Sequence, residues 1–177
     1  MKKLIVVIAV LGLVSYGAWR VLTPQVKEVP AGVNESPNSA TSYADPEGLF
    51  VLSYPKSFSV IGRYGANLVQ IKAPREYMPQ TNFSGAWFTI AATTTPAAIA
   101  ACSGRNVIND AGAGNFYETT VFKKIYDGDC YTFAYTIHST NIGSYSPEQG
   151  IKEFDKAKIV ADMEGILSSF RHLVNSD

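Results

Sequence analysis

Between Phe116 and His138 the chain alternates apolar and polar residues in two runs, broken once by Asp127-Gly128-Asp129. Side chains of a strand point alternately to opposite faces, so each run has one side to bury. The pattern reads as a β-hairpin, with Phe116 to Tyr126 as one arm, Asp127-Gly128-Asp129 as the turn and Cys130 to His138 as the other arm. The second arm sets Tyr131, Phe133, Tyr135 and Ile137 on one face, and Thr132, Ala134, Thr136 and His138 on the other. So large an aromatic face requires a core or a helix against it, and a sheet with a layer over one side satisfies that requirement.

The C-terminal pattern supplies such a layer. Phe154, Ile159, Met163, Ile166, Leu167 and Phe170 recur with helical spacing, and charges fall between them. Lys152, Lys156 and Lys158 are expected opposite that seam, and Arg171 to Val174 as a short edge strand. Upstream, Asp45-Pro46-Glu47-Gly48 is turn chemistry, with Pro fixing φ and Gly supplying freedom. Short strands are expected over Leu49 to Tyr54, Phe58 to Ile61 and Leu68 to Ile71, and a long one over Gly85 to Thr95, which is rich in Trp, Phe, Ile and Thr. Pro96 followed by an alanine run predicts a short helix ending near Cys102, with Thr95 as its N-cap. Gly62 to Gly65 reads as a turn, and Asn141 to Gly150 as a polar loop. The sum is an α+β domain: a mostly antiparallel sheet with a long C-terminal helix and a short helix packed on it.

The N-terminus concerns location. Lys2 and Lys3 precede an apolar run from Leu4 to Trp19, closed by Arg20. As a helix that run rises about 24 Å, a little short of the roughly 30 Å hydrocarbon core. Residues 1–20 are read as a signal anchor with the positive end in the cytoplasm, or as a signal peptide cleaved after Ser15-Tyr16-Gly17. Either way the domain is expected outside, single-pass and membrane-held in the first case, secreted in the second. The short Lys-Lys signal has a bacterial look. Residues 21–42 carry Pro24, Pro30 and Pro37 without an apolar period and read as a disordered linker. Residues 43–177 then form one domain of ordinary size.

Composition removes some functions. Bases and acids balance at 15 each, and nothing resembles the basic footprint of a nucleic-acid binder. Cys102 and Cys130 are the only cysteines. In a translocated domain a disulfide between them is expected, worth about 3–4 kcal/mol in the chain-entropy account. A nucleophile or half a metal site is the other reading, and the pair lacks the C-x-x-C spacing of metal sites. No metal and no cofactor is implied.

Candidate chemistry is thin. His138, beside Ser139 and Thr140, is either a general base next to a hydroxyl or a polar residue at a strand end. No Gly-x-Ser-x-Gly elbow accompanies it. His138 shares a strand face with Cys130, but about 26 Å away at strand spacing. Ala111-Gly112-Ala113-Gly114 reads as a flexible turn, because the residues after it are strand-like where a phosphate cradle needs a helix. Asp127 and Asp129 are fully explained by a hairpin turn, and calcium needs more oxygens than they offer. Asn34-Glu35-Ser36 and Asn82-Phe83-Ser84 fit the glycosylation pattern. The loop Arg75 to Gln80 combines a guanidinium, an aromatic and a thioether, a mix enriched at interfaces, so Arg75, Tyr77 and Met78 are the candidate binding residues.

Two segments resemble a known family. Tyr43-Ala44-Asp45-Pro46-Glu47-Gly48-Leu49-Phe50-Val51-Leu52-Ser53-Tyr54-Pro55 is similar to the opening of PsbP-like (Mog1/PsbP) domains: a Tyr-x-Asp turn, a Gly-x-Phe strand and a Tyr-Pro stop. Ile166-Leu167-Ser168-Ser169-Phe170-Arg171 resembles the family's closing helix and Ser-Phe strand. The family's usual Trp after the Tyr-Pro stop is replaced, with Phe58 the nearest aromatic. The resemblance spans Tyr43 to Val174 but is carried by its two ends. It implies an α/β/α sandwich around an antiparallel sheet and a non-catalytic, partner-binding role, and it transfers no functional residues. The expectation is therefore a non-enzymatic, exported or membrane-tethered module for partner binding or envelope assembly. The alternative is an extracytoplasmic hydrolase with a dispersed site around His138.

Overall fold

The computed structural model describes residues 39–173, which belong to one compact unit. The anchor or signal, most of the linker and the four C-terminal residues lie outside the described residues.

The hairpin dominates. Strands β7 (Asn115–Tyr126) and β8 (Asp129–Thr140) pair antiparallel from Tyr126↔Asp129 to Asn115↔Thr140. The turn is therefore two residues, Asp127-Gly128, and Asp129 is a strand residue, a correction to the expected three-residue turn. Both turn residues have positive φ, 48° and 84°, as a type I′ turn requires to match strand twist. The same device recurs one strand earlier. Strand β6 (Arg105–Gly112) pairs with β7 from Arg105↔Phe122 to Gly112↔Asn115, closed by Ala113-Gly114 at φ 49° and 77°. The Ala-Gly repeat is thus half strand and half tight turn. Strand β6 was not expected, because every one of its residues is exposed and no apolar alternation marks it.

Three earlier strands complete the sheet: β3 (Ser59–Ile61), β4 (Val69–Ala73) and β5 (Phe83–Thr93). The order is β3-β4-β5-β8-β7-β6, antiparallel throughout. A second sheet has three antiparallel strands in the order β1-β2-β9: β1 (Ala40–Ala44), β2 (Phe50–Pro55) and β9 (Arg171–His172). Strand β1 begins inside the segment read as linker. Thr41 and Tyr43 find cross-strand partners in Tyr54 and Leu52, so pairing overrides a composition that looks disordered.

Helix α1 (Pro96–Ala100) buries none of its residues, and Thr95 occupies its N-cap position without a side-chain cap bond. The Thr95 N–H instead donates to Thr93 Oγ1 at 3.3 Å. Helix α2 (Lys156–Ser169) starts after Asp155, whose carboxylate accepts the Lys158 N–H at 3.0 Å. Its buried stripe is Ile159, Met163 and Ile166. Phe154 precedes the helix and Phe170 caps it, so the ends of the predicted stripe pack from loop positions. The architecture is α+β: two antiparallel sheets with helices.

Alternation gives the six-stranded sheet an inner face under α2 and an outer face. Cross-strand rows on the inner face run Val69-Ile90-Phe133-Phe122 and Ile71-Phe88-Tyr135-Thr120. The predicted aromatic face of β8 is therefore core: Tyr131, Phe133, Tyr135 and Ile137 are all buried. Phe170 joins the two sheets, 5.3 Å from Phe50 of β2 and 4.8 Å from Phe133 of β8, ring centre to ring centre. Cys130 faces outward and is bonded to Cys102, with Cα atoms 5.6 Å apart, which ties the α1 segment to the outer face.

Candidate functional site

Strand β6 is the last strand of the sheet, and the β6–β7 hairpin extends past the cover that α2 provides. On the inner face, Val107 and Phe116 lie where that cover stops and are 50% and 46% exposed; on the outer face, Ile108 and Ile125 are 51% and 46% exposed. Between this hairpin and the N-terminal end of α2 lies a cavity of about 380 Å³. Phe116, Ile137 and Phe154 give it an apolar floor, and Asn109 and Ser139 add polar groups. Its rim holds an ion pair, Lys156 Nζ to Glu118 Oε2 at 2.6 Å. An apolar recess with a few polar groups suits an inserted side chain or a small amphiphile.

The hairpin is held in place by a polar cluster under the other end of β6. Glu164 of α2 takes both guanidinium nitrogens of Arg105, and Tyr135 OH donates to its Oε1 at 2.6 Å. Arg105 Nη2 also lies 3.1 Å from Tyr135 OH. Burial works against ionised Glu164, but the hydrogen bonds from Arg105 and Tyr135 outweigh it and hold the carboxyl below its ordinary range. Lys156 and Lys158 of α2 are exposed, and each has a partner. Lys156 pairs with Glu118, and Lys158 reaches Asp162 at 3.2 Å and the Tyr77 hydroxyl.

The expected binding loop is mostly structural. Met78 is 7% exposed and belongs to the core. Tyr77 sits edge-on to Phe58 at 4.9 Å and donates to Asp162 Oδ2 at 2.7 Å. Of the three, Arg75 is exposed, Tyr77 partly buried and Met78 buried, and Arg75 and Met78 border a recess of about 320 Å³ with Pro79 and Ile151. A single 3₁₀ turn, Arg75–Tyr77, tucks it against the sheet.

His138 lies on the outer face and stacks on Tyr117 across the strand pair, 4.4 Å between centres and 12° between planes. Its Nε2 is 2.8 Å from Asn115 Oδ1. Burial lowers its pKa below the usual histidine value. Ser139 alternates to the inner face, and Thr140 Oγ1 is taken by Ser84 Oγ at 2.9 Å, so neither hydroxyl is brought to the imidazole. His172 stacks on Tyr126 at 5.4 Å, 3.5 Å from the Asp127 carboxylate. Asn82 of the apparent glycosylation motif is buried. Its Nδ2 donates to Thr140 O at 2.8 Å and its Oδ1 accepts the Phe154 N–H at 3.0 Å, pinning the approach to α2. Among the described residues no cluster of three or more His, Cys, Asp or Glu is placed to hold a metal ion. Among them, too, no helix is long and apolar enough to cross a membrane.

The fold defines a class, an α+β domain of antiparallel sheets with helices, and comparison adds little to it. No family model matches the chain, and no curated protein matches it in sequence. Among solved structures, a protein from Bacteroides thetaiotaomicron VPI-5482 aligns at 9% identity over 77% of this chain, with a TM-score of 0.48. This chain spans 49% of that protein's length. Cyanobacterial PsbP (CyanoP) from Synechocystis sp. PCC 6803 aligns at 12% identity over 85% of this chain and 100% of its own, with a TM-score of 0.38.

Proposed function

We propose that this chain is a non-enzymatic, partner-binding module of the cell envelope. It stands outside the cytoplasmic membrane on its N-terminal segment, and the β6–β7 hairpin is its contact surface. One observation carries the reading: among the described residues, four of the seven exposed large apolar side chains are on this hairpin. Phe116 lines the apolar recess and Val107 is exposed on the same inner face, while Ile108 and Ile125 are exposed on the outer face. Single exposed apolar residues are ordinary, whereas several on one hairpin, with a recess beside one of them, support an interaction site.

The PsbP-like reading belongs to the same proposal and rests on where its two motifs fall. The opening motif forms β2 and the closing one leads into β9, and the two strands pair at Phe50↔His172. Ser169 Oγ, from the closing motif, bonds both the N–H and the C=O of Ser53 in the opening one, at 2.8 and 3.0 Å.

A hydrolase centred on His138 is the second reading. It would need a carboxylate to orient the ring and a hydroxyl to activate, whereas the ring's partners are an amide and a phenol ring.

The test is Phe116→Lys in the full chain. Phe116 is 46% exposed, so stability is expected to change by no more than about 0.5 kcal/mol. Native gels of gently extracted envelopes should show the wild-type chain in a larger complex and the variant released from it. A complex of unchanged size and abundance would contradict the assignment.

A further inference from the structure

Strand β6 leaves one edge unpaired, and we propose that this edge receives the same edge of a second copy, joining two sheets into one continuous antiparallel sheet. The inference rests on the reading of the β6–β7 hairpin as the contact surface and names its partner. Exposed edges are normally blunted by a bulge, a proline, charged side chains or shortness. Strand β6 is eight residues, Arg-Asn-Val-Ile-Asn-Asp-Ala-Gly, in unbroken register with β7. Its two charges stand towards its ends, with Arg105 tied to Glu164 of its own chain, and its middle, Asn106 to Asn109, carries none.

The free groups follow from the turn. A two-residue loop makes Gly112 and Asn115 a hydrogen-bonded pair, so alternation turns the N–H and C=O of Arg105, Val107, Asn109 and Ala111 outward. In agreement, Gly104 O accepts the Lys123 N–H at 3.1 Å, while the outward Ala111 N–H is met only by its neighbour's carboxylate, Asp110 Oδ1 at 2.8 Å.

Self-pairing about a two-fold axis normal to the sheet puts residues of one parity opposite each other. The register centred on Ile108 fits. It sets Ile108 against Ile108 of the second copy on the outer face and Val107 against Asn109 on the inner one. These two β-branched residues are each about half exposed in the single chain, at 50% and 51%. Arg105 falls opposite Ala111, so the Arg105 C=O takes over the Ala111 N–H and releases Asp110. Asp110 then lies opposite Asn106, on the face that carries Lys123 of the same second copy, and no acid meets an acid. Each chain has zero formal net charge, so no long-range repulsion opposes the approach. A second copy supplies the Ile108 pair, the acceptor for the Ala111 N–H and the separation of like charges in one register, which an arbitrary extended peptide does not.

Cysteine pairing in the full chain tests the register. At the two-fold the Cα atoms of a non-hydrogen-bonded pair lie about 4.5 Å apart, within disulfide reach. Ile108→Cys should therefore give a covalent dimer on mild oxidation. Asn106→Cys alone should not, but mixed with Asp110→Cys it should. Ile108→Lys sets two cations face to face and should weaken dimerisation at least tenfold, as read by sedimentation of the full chain in detergent. A wild-type chain that stays monomeric on the order of 100 µM would overturn the proposal. So would Ile108→Cys cross-linking no better than Asn106→Cys. A monomeric pure chain alongside a native complex that Phe116→Lys disrupts would overturn self-pairing alone and leave the contact surface standing.

Discussion

Two residues show how local backbone and burial set measurable quantities. Ala113 holds φ at 49°, a left-handed conformation that costs an L-residue with a Cβ roughly 1 kcal/mol and that Asn tolerates better. Ala113→Asn is therefore expected to stabilise the domain by about 0.5–1 kcal/mol in urea unfolding; a loss of stability would mean the turn is not of this type. Burial against Tyr117 and Asn115 favours the neutral form of His138 and lowers its pKa. Its folded pKa lies below its unfolded value, so the unfolded chain binds the extra proton first as pH falls. Stability should therefore be full above the ordinary histidine range and decline below it. His138→Gln should flatten that part of the profile, and an NMR titration should place His138 below the usual value. Titration at or above that value would contradict the packing described.

At the scale of elements, legibility in the sequence followed burial. The β7–β8 hairpin and helix α2 bury one regular face each, so their period was visible in the residues. Strand β6 buries nothing, and its identity comes from backbone pairing with β7, which leaves no period to read. The only trace was Val107-Ile108 ahead of the Ala-Gly repeat, and the site was missed with the strand. In the loop from Arg75 to Gln80, composition did not show that Tyr77 packs on Phe58 and bonds Asp162, because both partners are distant in sequence. The polar clamp of β6 gives the element-scale prediction. Glu164→Gln removes the charge that holds Arg105 and Tyr135 and, because the pair is partly solvated, should cost about 1 kcal/mol. Amide exchange of β6 should accelerate more than that of β8; equal acceleration would mean the clamp supports the whole sheet. Because the Glu164 carboxyl titrates below its ordinary range, this contribution is present at neutral pH and is lost as acid protonates it.

For the whole molecule, the disulfide and the contact surface lie at different places. Cys102–Cys130 closes a 28-residue separation between the α1 segment and the start of β8. In the chain-entropy account its removal costs about 3–4 kcal/mol, so Cys102→Ser with Cys130→Ser should lower the denaturant midpoint while leaving the β6–β7 surface in place. The expected α+β class was legible from strand and helix periods together. The pairing of β1 with β2 and the splitting into two sheets were not, because they depend on long-range partners that no local pattern specifies. The central claim is that this molecule works through its β6–β7 hairpin. Site-specific photo-crosslinking in intact cells tests it most directly, with a photoreactive residue placed in turn at Val107, Phe116 and, as a control of equal or greater exposure, Tyr64. The account predicts a discrete adduct from Val107 and Phe116 and none from Tyr64. Adducts from Tyr64 alone, or the same adduct from all three positions, would contradict it.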